Sequence, residues 1–309
     1  PQINKIIFFS RGDFKDLSRQ SKARAIKLLL KTWGEILHYK FDLCIDLSLE
    51  HRYSLFLKLL GLRQRIGFNY KNRGRFLTQK INLDGYESKH VVEYHLELLE
   101  FLGIKPRFRN LELFLKQEEK AWAVRLLEKN GVLKDDLIIG IIPGGGASWG
   151  VQSYLKHWPG ERYAQVADRL VQKFGAKIIV FADSSERDIA EDVIKKMQQP
   201  AINMIAGTDL RQFMALIDQC NLIITNDGGP LHIAVALGNT SKSVSIFGPV
   251  DERVYGPYPP NANNIVLKKD FECRPCYQHF RVPECRYQRR CLMAITAEQV
   301  LQESEKALN

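Results

Sequence analysis

The chain has 309 residues, 45% of them hydrophobic and 26% charged, a composition typical of a globular protein with room for two domains. No apolar run reaches the length of a membrane span and the first residues lack a signal-peptide pattern, so we expect a cytoplasmic protein. The net charge of +10 lies in residues 1–110, which hold 21 Lys and Arg against 11 Asp and Glu, whereas residues 111–309 hold 24 of each. This asymmetry predicts an anionic partner for the first third: nucleic acid, an acidic membrane surface or an acidic glycan.

The first 110 residues contain short apolar runs that alternate with longer amphipathic segments, a pattern typical of strands and helices around a parallel sheet. Residues 18–39 are basic and carry apolar residues at helical spacing, which predicts an amphipathic helix. Pro106 lies in a polar, basic stretch and indicates the start of a region between domains. The predicted strands are 6–9, 41–47 and 65–68, the predicted helices are 18–39, 51–60 and 89–102, and residues 69–75 form a basic loop.

The alternation restarts after residue 111 and predicts a second α/β unit with its own parallel sheet. Its predicted strands are 137–142, 177–182, 203–205, 222–224, 243–247 and 264–267, and its predicted helices are 117–130, 160–174, 185–197 and 209–218, with a short helix ended by Gly238. We therefore expect an α/β protein with two doubly wound parallel-sheet domains, residues 1–110 and 111–295, and a C-terminal helix over residues 296–309.

Two loops of the second unit follow predicted strands and carry groups suited to a nucleotide. Gly144 and Gly145 let the loop after the first strand approach a ligand closely and turn N–H groups toward an anion. Lys156 comes next and could neutralise a phosphate, although a single surface lysine is more often only solvated. Glu186 follows the next strand, where a carboxylate can accept hydrogen bonds from ribose hydroxyls. The alternative is that the Glu186 charge only stabilises the first turn of its helix through the helix dipole.

The third loop is the sequence Asn-Asp-Gly-Gly-Pro-Leu-His, which begins at Asn226 and follows a buried strand. Gly228 and Gly229 form a turn, and a helix starts after it, so N–H groups and the positive end of the helix dipole face the turn and suit a phosphate. Asp227 and His232 flank this turn, and His232 could add a donor. The three loops should emerge at one edge of one sheet and together predict a nucleoside-diphosphate site, with no carboxylate pair arranged for a metal.

Four of the six cysteines form a cluster near the C-terminus: Cys273, Cys276, Cys285 and Cys291. Four thiolates at this spacing could hold a structural zinc ion. The alternative is a set of reduced thiols that stabilises a C-terminal loop, since a cytoplasmic location disfavours disulfides.

Taken in order, these segments resemble glycosyltransferase family 9, the ADP-heptose:lipopolysaccharide heptosyltransferases. The resemblance covers nearly the whole chain and implies the GT-B fold of two facing Rossmann-like domains, of which the first lacks its initial strand, loop and helix here. The matching segments are 41–47, 65–68, 143–145, 156–159, 226–232 and 247–249, together with Glu186 and the Cys-x-x-Cys-Tyr segment at 273–277.

The resemblance implies an inverting transfer of heptose from ADP-heptose to the inner core of lipopolysaccharide, with no cofactor besides the nucleotide-sugar donor. The donor would bind on the second domain. By motif match, the diphosphate and sugar would contact Lys156, Asp227, Gly228, Gly229 and His232, the ribose would contact Glu186, and Gly144 and Gly145 would lie in the same site. The basic first domain would face an acidic, phosphorylated glycolipid acceptor at the cytoplasmic face of the inner membrane.

Three other functions are weighed against this one. The chain could transfer a different sugar from a nucleotide diphosphate to another glycan, or it could bind a nucleotide sugar or glycan without catalysis. A nucleic-acid binder would use the basic first domain but would not explain the three loops, so we expect no nucleic-acid partner.

The resemblance also implies a catalytic base, an Asp in a Gly-Asp pair that follows the family's first strand. Gly12-Asp13 mimics this pair. The helix after it leads directly into the match that begins at Phe41, so its register is wrong for that loop. We expect Asp13 to be a chance match, and the catalytic residue is left unknown.

Overall fold

The structure, a computed structural model, describes residues 3–106, 110–238 and 242–309. Its contacts divide the chain into two units. The first unit runs to Gly85 and resumes over Tyr94–Lys105, and the second comprises Tyr86–Glu93 and Pro106–Asn309. Sequence analysis predicts one boundary near residue 110, whereas the contacts assign the short segment 86–93 to the second unit. In the described part of the chain, no helix is both long enough and apolar enough to cross a membrane.

The first unit is built on a three-stranded parallel sheet in the order β1-β2-β3. Asp46 lies opposite Gly67 at the carboxyl ends of the first two strands, and Asn69 lies opposite Asn82 at the ends of the second and third. The elements are α1 Arg11–Gln20, α2 Lys22–His38, β1 Leu43–Asp46, α3 His51–Leu59, β2 Gln64–Asn69, a 3-10 helix over Arg73–Phe76, and β3 Gln79–Asn82. α4 Val91–Glu97 and a 3-10 helix over Leu98–Leu102 follow.

Three details of the first unit differ from the sequence prediction. The predicted helix over residues 18–39 is two helices, because Ser21 takes an extended conformation and its side chain caps the start of α2. The predicted strand over residues 6–9 is wrong, since these residues join no described sheet. β3 was not predicted because Ile81 is its only apolar residue, so its sequence lacks a strand signal.

The second unit contains a six-stranded parallel sheet in the order β6-β5-β4-β7-β8-β9. The strands are β4 Ile138–Ile142, β5 Lys177–Ala182, β6 Ala201–Ile205, β7 Leu222–Asn226, β8 Lys242–Ile246 and β9 Asn264–Leu267. The chain builds outward from β4 through β5 to β6, then returns to β7 and builds in the other direction. The strand order therefore reverses between β4 and β7, which is where open α/β sheets form ligand sites.

Helices cover both faces of this sheet, and β4 shows why. Ile139 and Ile141 pack on one face with residues of α6, α7 and α12, whereas Ile138 and Ile142 pack on the other with residues of α5, α8 and α9. A strand covered on both faces is apolar throughout, as β4 is. The helices are α5 Gln117–Lys129, α6 Gly160–Phe174, α7 Arg187–Lys196, α8 Leu210–Ile217, α9 Gly229–Leu237, α10 Glu252–Tyr255, α11 Arg290–Met293 and α12 Ala297–Leu308, with 3-10 helices over Ala147–Lys156 and Ser184–Glu186.

Segment 86–93 is fixed to the second unit by His90, which is buried. Val92 N–H donates to His90 Nδ1 at 3.2 Å, so the ring proton is on Nε2, which donates to the Gly256 carbonyl at 3.0 Å. The ring also stacks on Tyr258, with 4.5 Å between the ring centroids. Burial lowers the pKa of His90, and the Gly256 hydrogen bond and Glu93 only partly oppose this. The imidazole is therefore neutral at neutral pH and uses both nitrogens.

Candidate functional site

A cavity of about 650 Å³ lies along the carboxyl edge of the six-stranded sheet; we call it the edge cavity. Its walls come from the loops after five strands, so the strand order arranges them in space. From one end to the other, the lining residues include Thr208, Asp209, Leu210 and Phe213 after β6, Asp183 and Glu186 after β5, Gly145, Ser148, Trp149 and Lys156 after β4, Asp227, Gly228, Gly229, Pro230, His232 and Ile233 after β7, and Val250 and Tyr255 after β8, with Tyr277 from farther along the chain. The loops that the sequence predicted to converge therefore do converge.

Lys156 and Asp227 form a buried ion pair in the middle of the edge cavity. Lys156 Nζ lies 2.6 Å from Asp227 Oδ2, and the two residues are 9% and 4% exposed. The ammonium also lies 4.4 Å from the centre of the Trp149 ring, within cation–π range. Lys156 is the only Lys or Arg among the described residues that line the cavity. Its position is therefore held by a carboxylate on one side and by an aromatic face on another.

The start of α9 faces the same cavity. Gly228 is the N-cap residue and has no side chain to bond the first N–H groups, and a Cβ on Gly229 would meet no atom within 4 Å. A Cβ on Gly228 would lie 2.7 Å from the Gly145 carbonyl oxygen, so the two loops meet only because glycine is there. Burial lowers the pKa of His232, opposed by Asp227 and reinforced by His90 and Lys156. His232 is therefore a neutral hydrogen-bonding group rather than a cation.

The Gly-rich loop after β4 does not point its N–H groups at open space. The N–H groups of Gly145 and Gly146 donate to Glu186 Oε1 at 2.8 and 3.1 Å, and a Cβ on Gly144 would collide with Glu186 Oε2. Burial alone would raise the pKa of Glu186, but His157 and the two N–H groups outweigh it and hold the pKa below its usual range. The prediction that this loop turns toward a bound phosphate is thus corrected, because the anion it binds is Glu186. Gly144 leaves room for the Glu186 carboxylate, which a side chain at this position would displace.

Asn226, treated in the sequence only as a turn residue, joins the loops to one another. Its Nδ2 donates to the carbonyls of Pro143 and Gly144 at 2.5 and 3.0 Å, and its Oδ1 accepts from Trp158 N–H at 3.3 Å. Asn226 is fully buried. One amide therefore fixes the Gly-rich loop and the end of the Lys156 segment against β7.

Sequence analysis also missed an aromatic wall. Trp149 stacks on Tyr277 with 5.0 Å between centroids, and Tyr255 meets Tyr277 edge to face at 5.6 Å. All three line the edge cavity together with Val250. Trp149 lies far from Tyr255 and Tyr277 along the chain, so no local pattern could have indicated the wall.

The other predicted residues lie elsewhere. Asp13 is exposed in the first turn of α1, where Ser10 Oγ accepts a hydrogen bond from its N–H. A negative charge in the first turn interacts favourably with the positive end of the helix dipole, which is an ordinary structural role.

The zinc hypothesis is not supported by the geometry of the cysteine cluster. The four thiols border a separate cavity of about 490 Å³ and all are free. Among the described residues, no group of three or more His, Cys, Asp or Glu is placed to hold a metal ion. Cys276 instead donates to the Cys273 carbonyl at 2.9 Å. Burial, with the neighbouring thiols second, raises the pKa of Cys276 to about 11, so this thiol stays protonated.

The known proteins whose sequences resemble this chain include two heptosyltransferases. Lipooligosaccharide heptosyltransferase 2 of Campylobacter jejuni is 28% identical over 271 residues, which cover 85% of this chain and 75% of that protein. Lipopolysaccharide core heptosyltransferase OpsX of Haemophilus influenzae is 23% identical over 244 residues, covering 78% of this chain and 66% of that protein.

Solved structures agree on the fold. A glycosyl transferase family 9 structure from Veillonella parvula matches with a TM-score of 0.73 at 25% identity, covering 90% of this chain and 78% of that one. The E. coli ADP-heptose LPS heptosyltransferase II matches with a TM-score of 0.71 at 20% identity, covering 90% of this chain and 80% of that one. The predicted GT-B type α/β fold is confirmed.

The family model described as glycosyltransferase family 9 (heptosyltransferase) matches residues 29–285, well over half of the chain. With the parallel-sheet units and the convergent loops already described, this establishes that the chain is an enzyme and that it belongs to glycosyltransferase family 9.

Proposed function

We propose that this enzyme transfers heptose from ADP-heptose to the phosphorylated inner core of lipopolysaccharide, with inversion at the anomeric carbon. The observation that carries the proposal is the edge cavity, where a buried lysine and the uncapped start of α9 lie together at the point of strand reversal. Both are positive features in a site of restricted solvent access, which suits a diphosphate. The relatives named above, which act on lipooligosaccharide and lipopolysaccharide by their names, support heptose as the sugar.

The strand order supports a particular direction for the donor. The adenine would lie among Leu210 and Phe213 beyond β6, and the ribose would lie near Glu186 after β5. Glu186 Oε1 is already engaged, but Oε2 accepts no hydrogen bond within the described residues and can take a ribose hydroxyl. The diphosphate would lie between Lys156 and the start of α9, and the sugar would face the aromatic wall beyond β8.

This direction explains how the leaving group is stabilised. As the bond from the anomeric carbon to the diphosphate breaks, negative charge grows on the departing oxygen. Lys156 Nζ and the first N–H groups of α9 are fixed in place beforehand, so they meet that charge without rearranging. His232, neutral because of its burial, can donate a hydrogen bond but adds no charge.

We also propose that the first unit binds the acceptor, an acidic glycolipid at the cytoplasmic surface of the membrane. On α2, Ile26, Leu30 and Leu37 are 55%, 60% and 48% exposed. They form one stripe along the helix, beside a basic stripe that includes Lys27 and Lys31. An exposed apolar stripe next to a basic stripe is typical of a helix that lies on an anionic lipid surface.

The test combines binding with turnover. Calorimetry with ADP, ADP-heptose and UDP-glucose should give binding for the two adenine nucleotides and none for the uridine one. Incubation with ADP-heptose and heptose-deficient lipopolysaccharide should release ADP and add one heptose, and NMR of the product should show the opposite anomeric configuration from the donor. Failure to bind ADP would refute the donor site, and transfer from another nucleotide sugar would replace heptose by that sugar.

A further inference from the structure

The contact between Trp149 and the buried cation of the edge cavity has no part in the roles proposed above. The Lys156 ammonium lies 4.4 Å from the centre of the Trp149 ring. The same ring stacks on Tyr277 with 28° between the ring planes, and Tyr277 meets Tyr255 edge to face. A continuous row of contacts therefore joins the buried ion pair of Lys156 and Asp227 to the aromatic wall.

The chain segment around Trp149 does not fix the ring by itself. Gly150 takes a left-handed conformation with φ of 57°, and Val151 after it is 95% exposed. The support comes from elsewhere in the second unit, where Tyr277 N–H donates to the Pro249 carbonyl at 3.0 Å. Trp149 and the two tyrosines also pack against a buried apolar cluster: Leu231, Val235, Phe247 and Val250. The position of the Trp149 ring is thus set by the core of the second unit.

A ring face suits this position better than a second carboxylate would. The Lys156 ammonium has three N–H donors, and Asp227 Oδ2 lies 2.6 Å from its nitrogen. A diphosphate in the edge cavity would be a second anion that pulls the ammonium away from Asp227. The Trp149 face attracts a cation through its quadrupole but carries no net charge, so it holds the ammonium without repelling a phosphate.

We propose that Trp149 is a positioning residue for Lys156, an inference that rests on the proposed binding of the donor diphosphate in the edge cavity. The ring keeps the ammonium in one place while Asp227 and the diphosphate share its N–H groups. Tyr277 and Tyr255 in turn keep the ring in place. This role differs from a contact with the donor sugar, because ADP carries no sugar and should still depend on Trp149.

Calorimetry with ADP tests the proposal in a graded series at position 149. Trp149→Leu keeps an apolar side chain but removes the ring, and should weaken ADP binding about tenfold, as expected for a cation–π contact shielded from water. Trp149→Phe restores a ring with a weaker quadrupole and should recover part of this loss. Site-specific incorporation of trifluorotryptophan keeps the shape and withdraws charge from the ring face. It should weaken ADP binding about threefold with an unchanged melting temperature.

Tyr154→Leu is the matched control. Tyr154 lies in the same 3-10 helix and its ring centre lies 5.8 Å from the Arg289 guanidinium, but it does not line the edge cavity. This variant should bind ADP like the wild type. An equal loss of affinity in Tyr154→Leu and Trp149→Leu would show that any aromatic ring of this segment matters, and would overturn the proposal.

A double-variant cycle shows whether Trp149 acts through Lys156. In the Lys156→Met background, Trp149→Leu should change ADP affinity by less than about twofold, because the ammonium is already absent. Effects that multiply would mean that Trp149 contacts the nucleotide itself, and equal affinities with tryptophan and trifluorotryptophan would mean that the ring charge is irrelevant; either result refutes the role. The trifluorotryptophan comparison stands even if Trp149→Leu does not fold. A wild-type chain that binds no ADP would instead refute the donor site and the proposed function.

Discussion

At the scale of single residues, Lys156 and Asp227 each compensate the buried charge of the other. Each is buried, so the loss of one leaves the other charge without compensation in a site of low polarity. Removing one partner of such a pair typically destabilises a fold by about 3 kcal/mol or more. The pair therefore links the stability of the second unit to the diphosphate binding proposed for the edge cavity.

We expect Lys156→Met to lower the free energy of unfolding by about 3 kcal/mol and to weaken ADP binding by about tenfold or more, the loss of one charge-assisted hydrogen bond. Urea titration and calorimetry measure the two effects.

The double variant Lys156→Met/Asp227→Asn separates the two effects. It removes both charges, so it should recover most of the stability but none of the ADP affinity. If the double variant bound ADP like the wild type, Lys156 would have a structural role only.

Sequence reasoning found the residues that directly follow strands and missed those defined by distant contacts. Asp227 and His232 were predicted because strand ends carry ligands in parallel sheets. Lys156, which lies well beyond the end of β4, was predicted from its charge and from the family resemblance. The hydrogen bonds of Asn226 to residue 143 and the aromatic wall depend on side-chain packing that no local pattern encodes. Glu186 was identified, but its bonds to the Gly-rich loop were not, because a loop's N–H groups look equally open to an internal or an external anion.

At the scale of elements, the loop between β8 and α10 is held in place by Arg274. Its side chain is 4% exposed and donates to the carbonyls of Gly248 and Val250 at 2.8 and 2.9 Å. It also lies 2.7 Å from Glu252 Oε2 at the start of α10. Val250 and Tyr255 line the edge cavity, so this arginine positions one of its walls.

We expect Arg274→Met to lower the free energy of unfolding by about 3 kcal/mol and to raise KM for the nucleotide sugar. Burial alone would raise the pKa of Glu252, but Lys268 and Arg274 lower it overall. The stability from this ionised group is present above its unfolded pKa and is lost as pH falls through its folded pKa. The stability gap between wild type and variant should therefore narrow in acid, as thermal unfolding at several pH values would measure.

Arg253→Met is the matched control, because Arg253 lies in α10, two residues after its N-cap residue Asp251. The Arg253 side chain is 80% exposed although it pairs with Asp251 at 2.7 Å. The Arg253 charge is screened by solvent, and the backbone N–H of residue 253 still donates to Asp251 Oδ1 in this variant, so it should remain close to wild type in stability and KM. Equal effects of the two substitutions would show that burial of Arg274 is not what matters.

The elements predicted best are those whose own sequence pattern is strong, whatever packs beside them in the fold. β4, β7 and α12 are long apolar or strongly periodic segments with clear start signals, and their predicted bounds agree closely with the structure. β3 and the wrongly predicted strand over residues 6–9 show the opposite case, because pairing along a sheet is decided by what lies beside a strand.

At the scale of the whole molecule, the two functions proposed for the two units differ in their electrostatics. Most of the described Lys and Arg side chains within residues 1–110 are exposed, so salt screens them, whereas the cation of the edge cavity is buried. Raising ionic strength from about 50 mM to about 500 mM should therefore raise KM for the acidic acceptor much more than the Kd for ADP. Steady-state kinetics and calorimetry at both salt concentrations measure this. Equal salt dependence would mean that the basic surface does not bind the acceptor.

The assignment of segment 86–93 has a consequence for anyone who divides this protein into parts. The second unit draws on two separate stretches of chain, so a fragment that begins at Pro106 would lack the imidazole of His90 that bonds Gly256 and stacks on Tyr258. Tyr255, next to Gly256, lines the edge cavity, so the missing segment lies beside the wall of that cavity. A fusion, a swap between relatives or a cleavage site placed at residue 106 would thus cut through the second unit and not beside it.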